Sequence, residues 1–221
     1  MTGPAVQDVV APRPVRGRDV LHRGHVFDLV SDAVELEPGS PVRRDVIDHP
    51  GAVAVVVLDD DERVLLQRQY RHPVRRELWE PPAGLLDVVG EDARAAAERE
   101  LFEEADLRAA RWDVLVDYLT TPGASSEAVR VFLARDLSEV PANERHERED
   151  EEKDMPARWV PLDEAADAVL AGHVHNPSAV VGILAAVRSR SLGWSTLRPA
   201  DAPWPERRSQ VMADAAGDLP G

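Results

Sequence analysis

The sequence predicts an α+β fold built on a mixed β-sheet. Three observations carry this expectation. Short runs rich in Val, Leu and Ile, separated by turn signals, fill the first third of the chain. Residues 91–105 have the Ala-, Glu-, Arg- and Leu-rich composition of a helix. Strands and helices then follow one another without the strict alternation of a parallel doubly wound sheet.

In chain order, residues 1–17 are Pro- and Val-rich without periodicity and read as a flexible tail. Residues 18–48 hold short alternating segments broken at Pro38–Pro41, which predicts a small antiparallel β unit. GAVAVVVLD (51–59) is a continuous apolar run, as expected of a strand covered on both faces. DDDE turns the chain, RVLLQRQYR (63–71) returns, and the two strands are expected to form a hairpin. Pro81 and Pro82 exclude a helix over 78–84. WDVLVDYL and EAVRVFLARDL are strands on either side of TTPGASS, and ARWVPL is a further short strand. A short helix over DEAADAVLAGH precedes a better-delimited one, with Asn176 as N-cap, Pro177 at its first position and Gly193 beyond its end. Residues 49–190 are thus the main body and 191–221 an irregular tail.

The chain has 221 residues, 43% of them hydrophobic, with a net charge of −15. That charge argues against nucleic acid as a partner, because affinity for its phosphates rests on Lys and Arg. It leaves small anionic ligands open, since a local arginine cluster or a bound metal reverses the field. Cysteine is absent, in keeping with a reducing cytoplasm and without disulfide or thiolate chemistry. No secretory h-region and no membrane-length apolar run is expected.

The chemically informative stretch is GLLDVVGEDARAAAERELFEEADL, residues 84–107. On a helix Glu100, Glu103 and Glu104 share a face, and like charges so placed repel one another by roughly 0.2–0.5 kcal/mol per pair. A solvated acidic face is one reading. Clustered carboxylate oxygens are also the ligands a hard cation such as Mg2+ requires, and a metal relieves the repulsion.

This stretch resembles a Nudix box: Gly, five residues, Glu, seven residues, then Arg-Glu-apolar-x-Glu-Glu-x-Gly-apolar. Here Gly84 is followed by Glu91 after six residues, and after seven more come Arg99, Glu100, Leu101, Phe102, Glu103, Glu104, Ala105, Asp106 and Leu107. The loop is one residue longer than the pattern and Asp106 replaces the closing Gly; both alterations concern loop shape more than chemistry. The resemblance extends over roughly residues 18–190 and implies a Nudix-type α/β/α sandwich with a mixed sheet and an N-terminal antiparallel β unit. Pro122, sixteen positions past Asp106, together with RQYRH, WEPPAG, RRDVIDHPGAVAVV and the acidic stretch ending EEKDM, is similar to bacterial ADP-ribose pyrophosphatases.

The resemblance implies an enzyme that uses Mg2+, with Mn2+ as an alternative, to hydrolyse ADP-ribose to AMP and ribose 5-phosphate. Glu100 and Glu104 are then the principal metal ligands, Glu103 assists, and the carbonyl of Ala83 adds a further ligand. Arg99 pairs with a box glutamate and orients it. The general base lies in RHEREDEEKDM, as Glu152 or Glu151, with Glu152 favoured. Arg71 and Arg44 contact phosphate and ribose, and Trp79 or Tyr70 stacks on adenine. From the residues alone, Trp79 before two prolines reads more readily as a core plug and Tyr70 as the end of a strand. Glu80 accepts from adenine or contacts a partner subunit. Ser126 and Glu127 stand with Pro122 near the diphosphate, or simply form a turn. A homodimer exchanging its N-terminal β units is implied as well. Two other readings remain: a hydrolase of another nucleoside diphosphate derivative such as a nucleotide sugar, and a Nudix-like ligand sensor without catalysis.

Overall fold

The structure, a computed structural model, describes residues 6–88, 90–147 and 155–207. Three antiparallel strands come first: β1 (Val15–Arg23), β2 (Asp28–Glu37) and β3 (Ser40–Asp48), in the order β1-β2-β3. Pairing therefore begins three residues inside the segment expected to be a tail. Arg18 on β1 forks onto Asp32 of β2 with two bonds of 2.7 Å and reaches Asp48 of β3 at 3.2 Å. All of β1 is exposed.

The main body contains β4 (Ala52–Val57), β5 (Arg63–Arg71), β6 (Arg76–Glu80), β7 (Ala83–Leu85), α1 (Ala93–Ala105), β8 (Leu107–Leu119), β9 (Ala128–Glu139), β10 (Ala157–Pro161), α2 (Leu162–Leu170), α3 (Pro177–Ser191) and β11 (Arg198–Pro199). One mixed sheet has the order β11-β8-β9-β4-β7, with β4 parallel to β9 and the other pairs antiparallel. A smaller antiparallel sheet has the order β10-β5-β6.

The hairpin expected between β4 and β5 is not formed. The reversal itself is tight: the Asp59 carboxylate accepts from the amides of Asp61 and Arg63 at 3.0 and 2.8 Å. The two arms meet at the Leu58–Val64 bridge and through the Asp59 amide, which donates to Arg63 O at 3.1 Å, and pair no further. The Leu58 amide donates instead to Ala134 O at 3.0 Å, and β4 stays with β9 while β5 enters the smaller sheet. The physical reason is β4's two apolar faces. Val53, Val55 and Val57 pack in one core cluster with Ala96, Ala97 and Leu101 of α1. Ala54, Val56 and Leu58 pack in another with Ala179, Ile183 and Ala186 of α3. A strand so patterned is stable only at the centre of a sheet covered on both sides. The result is an α/β/α sandwich of the α+β class.

The helix α3 begins where expected, with Asn176 Oδ1 accepting from the Ala179 amide at 2.9 Å. It approaches the sheet at Gly182, where a Cβ would stand 2.8 Å from Val56 Cγ2. The C-terminal segment departs from its expected irregularity: β11 extends the mixed sheet beside β8, and Trp204 is buried against the α1 side.

Candidate active site

The site is built on α1. Asp92 caps its start by accepting from the amides of Arg94 and Ala95, both at 2.9 Å. Asp106 ends it in the left-handed conformation, φ 53° and ψ 36°, the geometry for which the missing Gly would be the usual choice. The buried stripe of the helix is Ala96, Ala97, Glu100, Leu101 and Glu104. Glu100 and Glu104 thus occupy inward positions at which a purely structural helix would carry apolar residues. Glu98, by contrast, makes a surface pair with Arg94 at 2.8 Å.

The strand β7 delivers the loop that faces these carboxylates. Glu104 Oε2 accepts from the Ala83 amide at 3.2 Å. Gly84 leaves room for Glu100, since a Cβ there would lie 1.9 Å from Glu100 Oε1. Arg99 grips Glu91 through two bonds of 3.0 Å and reaches Glu100 at 2.6 Å and Glu103 at 3.3 Å. One guanidinium therefore spans three carboxylates. These bonds hold the Glu91 carboxyl below the ordinary range, and the Glu91 carboxylate in turn raises Arg99 further above its own.

A hard divalent cation takes oxygen ligands. Glu100, Glu103, Glu104 and the Ala83 carbonyl are an all-oxygen donor set, and buried carboxylates demand a counter-charge. The residues fit such a cation in kind. Among the described residues no three acidic or histidine side chains already converge on a cation position. A cation entering here competes with Arg99 for Glu100 and Glu103.

Arg71 and Glu80 are brought together as a bidentate pair with bonds of 2.6 to 3.1 Å, and Glu80 is buried. Both line a small concavity with Ala83 and Glu104. Glu104 also lines a cavity of about 260 Å3 that includes Gln67, Asp106 and Trp159. Arg145 and Met155, which flank the acidic stretch in sequence, also line it. Glu151 and Glu152 lie outside the described residues.

Other expected contacts sit elsewhere. Arg44 is on β3 of the N-terminal sheet, opposite Asp32, and bonds to the carbonyl of Arg43 at 2.9 Å. Tyr70 is exposed and packs edge-on against His72. Trp79 is half-buried, packed on the core with the Arg68 guanidinium 5.7 Å above its ring. Pro122 is exposed in the β8–β9 turn. In that turn Ser126 Oγ accepts from the His49 amide at 2.9 Å, and Glu127 accepts from Thr120 Oγ1 at 2.7 Å. His49 is buried, and that burial lowers its pKa. The Ser126 bond fastens the turn to the chain leaving the N-terminal sheet, and the Glu127 bond closes the turn on itself.

Sequence reasoning missed Gln67, whose Nε2 donates to the Glu104 carbonyl at 2.7 Å from a buried position on β5. The available signal was a polar residue directly following the apolar run Val64–Leu66 of that strand. It also missed Arg130, buried near the start of β9.

The NUDIX domain model matches residues 48–179. The chain is 46% identical over 198 residues to an ADP-ribose pyrophosphatase of Mycobacterium tuberculosis, covering 90% of this chain and 94% of that one. It is 32% identical over 163 residues to a methanol dehydrogenase activator of Bacillus methanolicus, covering 74% and 86%. A solved structure described as an ADP compounds hydrolase superposes with a TM-score of 0.69 at 22% identity, over 86% of this chain and 99% of that one. With its inward glutamates, its arginine clamp and a family match across more than half its length, this protein belongs to the Nudix family.

Proposed function

We propose that the protein hydrolyses the diphosphate of ADP-ribose, taking ADP-ribose and water to AMP and ribose 5-phosphate. The observation that carries the substrate is the 46% identity, across 90% of the chain, to an enzyme named for that activity. The inward pair Glu100 and Glu104 beside Ala83 and Gly84 supports the chemistry.

Glu100 and Glu104, with Glu103 and the Ala83 carbonyl, would hold Mg2+, or Mn2+ in its place. When bound, the cation stabilises charge developing on the diphosphate and lowers the pKa of the attacking water. Arg99 keeps Glu91, Glu100 and Glu103 oriented, a role that acts through the ligands rather than on substrate. Glu152, or Glu151, takes the proton from water. Arg71 presents positive charge in the concavity beside Glu104, and Glu80 fixes its direction. Arg44, Trp79 or Tyr70, Pro122, Ser126 and Glu127 complete the substrate contacts in this reading.

The N-terminal sheet is the proposed dimer contact. Val20, Leu21, Val26 and Phe27 are all exposed on it or at its edge, more than a monomer's surface needs. Sedimentation at two protein concentrations tests the dimer. A cytoplasmic location is part of the same proposal; no helix among the described residues is long and apolar enough to cross a membrane.

Product analysis tests the function. The protein is incubated with ADP-ribose, a nucleotide sugar and a nucleoside triphosphate, each with Mg2+ and with EDTA. AMP and ribose 5-phosphate, formed chiefly from ADP-ribose and only with metal, are expected. Preferential turnover of the nucleotide sugar would move the assignment to another nucleoside diphosphate derivative. Binding of ADP-ribose without turnover would make the protein a sensor.

A further inference from the structure

The C-terminal segment reaches the catalytic helix by a continuous route. Arg198 on β11 donates to Asp117 on β8 at 2.8 Å. Arg130, itself 2% exposed, forks onto the same Asp117 at 2.8 and 3.0 Å. Its remaining donors hold the carbonyls of Ala202 and Pro203 at 2.6 and 3.0 Å. The same guanidinium lies 4.8 Å over the ring of Trp204, which is buried in the cluster that contains Ala96, Ala97 and Leu101 of α1. A turn follows, with the Arg207 amide donating to Trp204 O at 3.1 Å. The Arg207 side chain then donates to the carbonyl of Glu91 at 3.3 Å. Glu91 is the residue whose carboxylate Arg99 grips.

A buried arginine that spends its donors on two carbonyls of a terminal segment is a specific anchor, because leaving such a charge unpaired is strongly unfavourable. The anchored segment then runs on to Glu91, the residue before the Asp92 cap of α1. We propose that residues 198–207 form a strap that fixes the entrance of α1, with Arg207 a positioning residue for the Glu91–Arg99 pair and so for Glu100 and Glu103. The catalytic consequence rests on the function proposed above; the structural one does not.

The test uses the full chain carrying Arg207→Ala or Arg207→Lys, with amide hydrogen exchange and steady-state kinetics measured in parallel. Arg207→Ala is expected to exchange several-fold faster over residues 86–95 while β4 and β9 keep their protection. Its kcat for ADP-ribose is expected to fall about tenfold, the lower end for loss of a group that orients metal ligands. KM and melting temperature should stay close to the parent's, and Arg207→Lys should recover most of the loss. Unchanged exchange over 86–95 would overturn the strap, as would an increase spread evenly through the sheet. Parental kcat in Arg207→Ala with faster loop exchange would overturn the positioning role alone. If the parent does not hydrolyse ADP-ribose, the exchange result still decides the strap, and only the proposed function fails.

Discussion

The Glu100 carboxylate occupies the space that a side chain at position 84 would need: a Cβ on Gly84 would stand 1.9 Å from Glu100 Oε1 and 2.6 Å from its Cγ. The glycine of the loop and the glutamate of the helix are one fitted pair. Its requirement here is room rather than backbone freedom.

Gly84→Ala is therefore expected to displace Glu100 with the fold retained. Turnover should fall by about 10- to 100-fold, the range for disturbed ligand orientation. Kinetics with a parallel circular-dichroism melt check this; a parental kcat would show that Glu100 does not need that position.

Glu104→Gln preserves an acceptor for the Ala83 amide but removes the charge. Metal-dependent turnover should drop by about a hundredfold or more, since several kcal/mol of charge stabilisation depend on the cation. Stability should hold or rise, because a buried carboxylate is replaced by a neutral amide. Near-normal activity would remove Glu104 from the ligand set.

The Glu91–Arg99 pair makes an acid-sensitive contribution to stability. The folded carboxyl lies below its ordinary value of 4.5, chiefly through its bond to Arg99. Such a group stabilises the fold above the unfolded value, and the contribution is lost as pH falls through the folded one. The parent should exceed Glu91→Gln in urea stability at neutral pH, with the gap closing in acid below 4.5. A gap independent of pH would mean that the pair contributes packing and no linked charge.

Gly182→Ala tests the other face of the sheet. The added Cβ would stand 2.8 Å from Val56 Cγ2 and 3.3 Å from Val131 Cγ1. Overpacking of this kind destabilises by about 1–3 kcal/mol. Denaturant unfolding measures it, and an unchanged midpoint would show that α3 can lift away from β4 freely.

Much of this molecule was legible in local pattern. The two-faced run at 52–57, the cap at Asn176 and the spacing of Glu91, Arg99, Glu100, Glu103 and Glu104 each depend on neighbours within a few turns or residues. The partner of β4 was not legible. A short acidic turn suggests a hairpin, but the choice between β5 and β9 depended on which neighbour let both faces of β4 be covered.

At the site, sequence alone determined the chemistry available: clustered carboxylates on one helix, a glycine loop before them and an arginine among them. Only tertiary structure decided what those groups face. It turned Glu100 and Glu104 inward, tied Arg71 to Glu80, left Arg44 on a separate sheet and brought Arg207 to the carbonyl of Glu91. The reason is separation along the chain. Helical spacing fixes which side chains share a face, whereas contacts such as Arg207 with Glu91, 116 residues apart, exist only once the intervening sheet has set the distance between them.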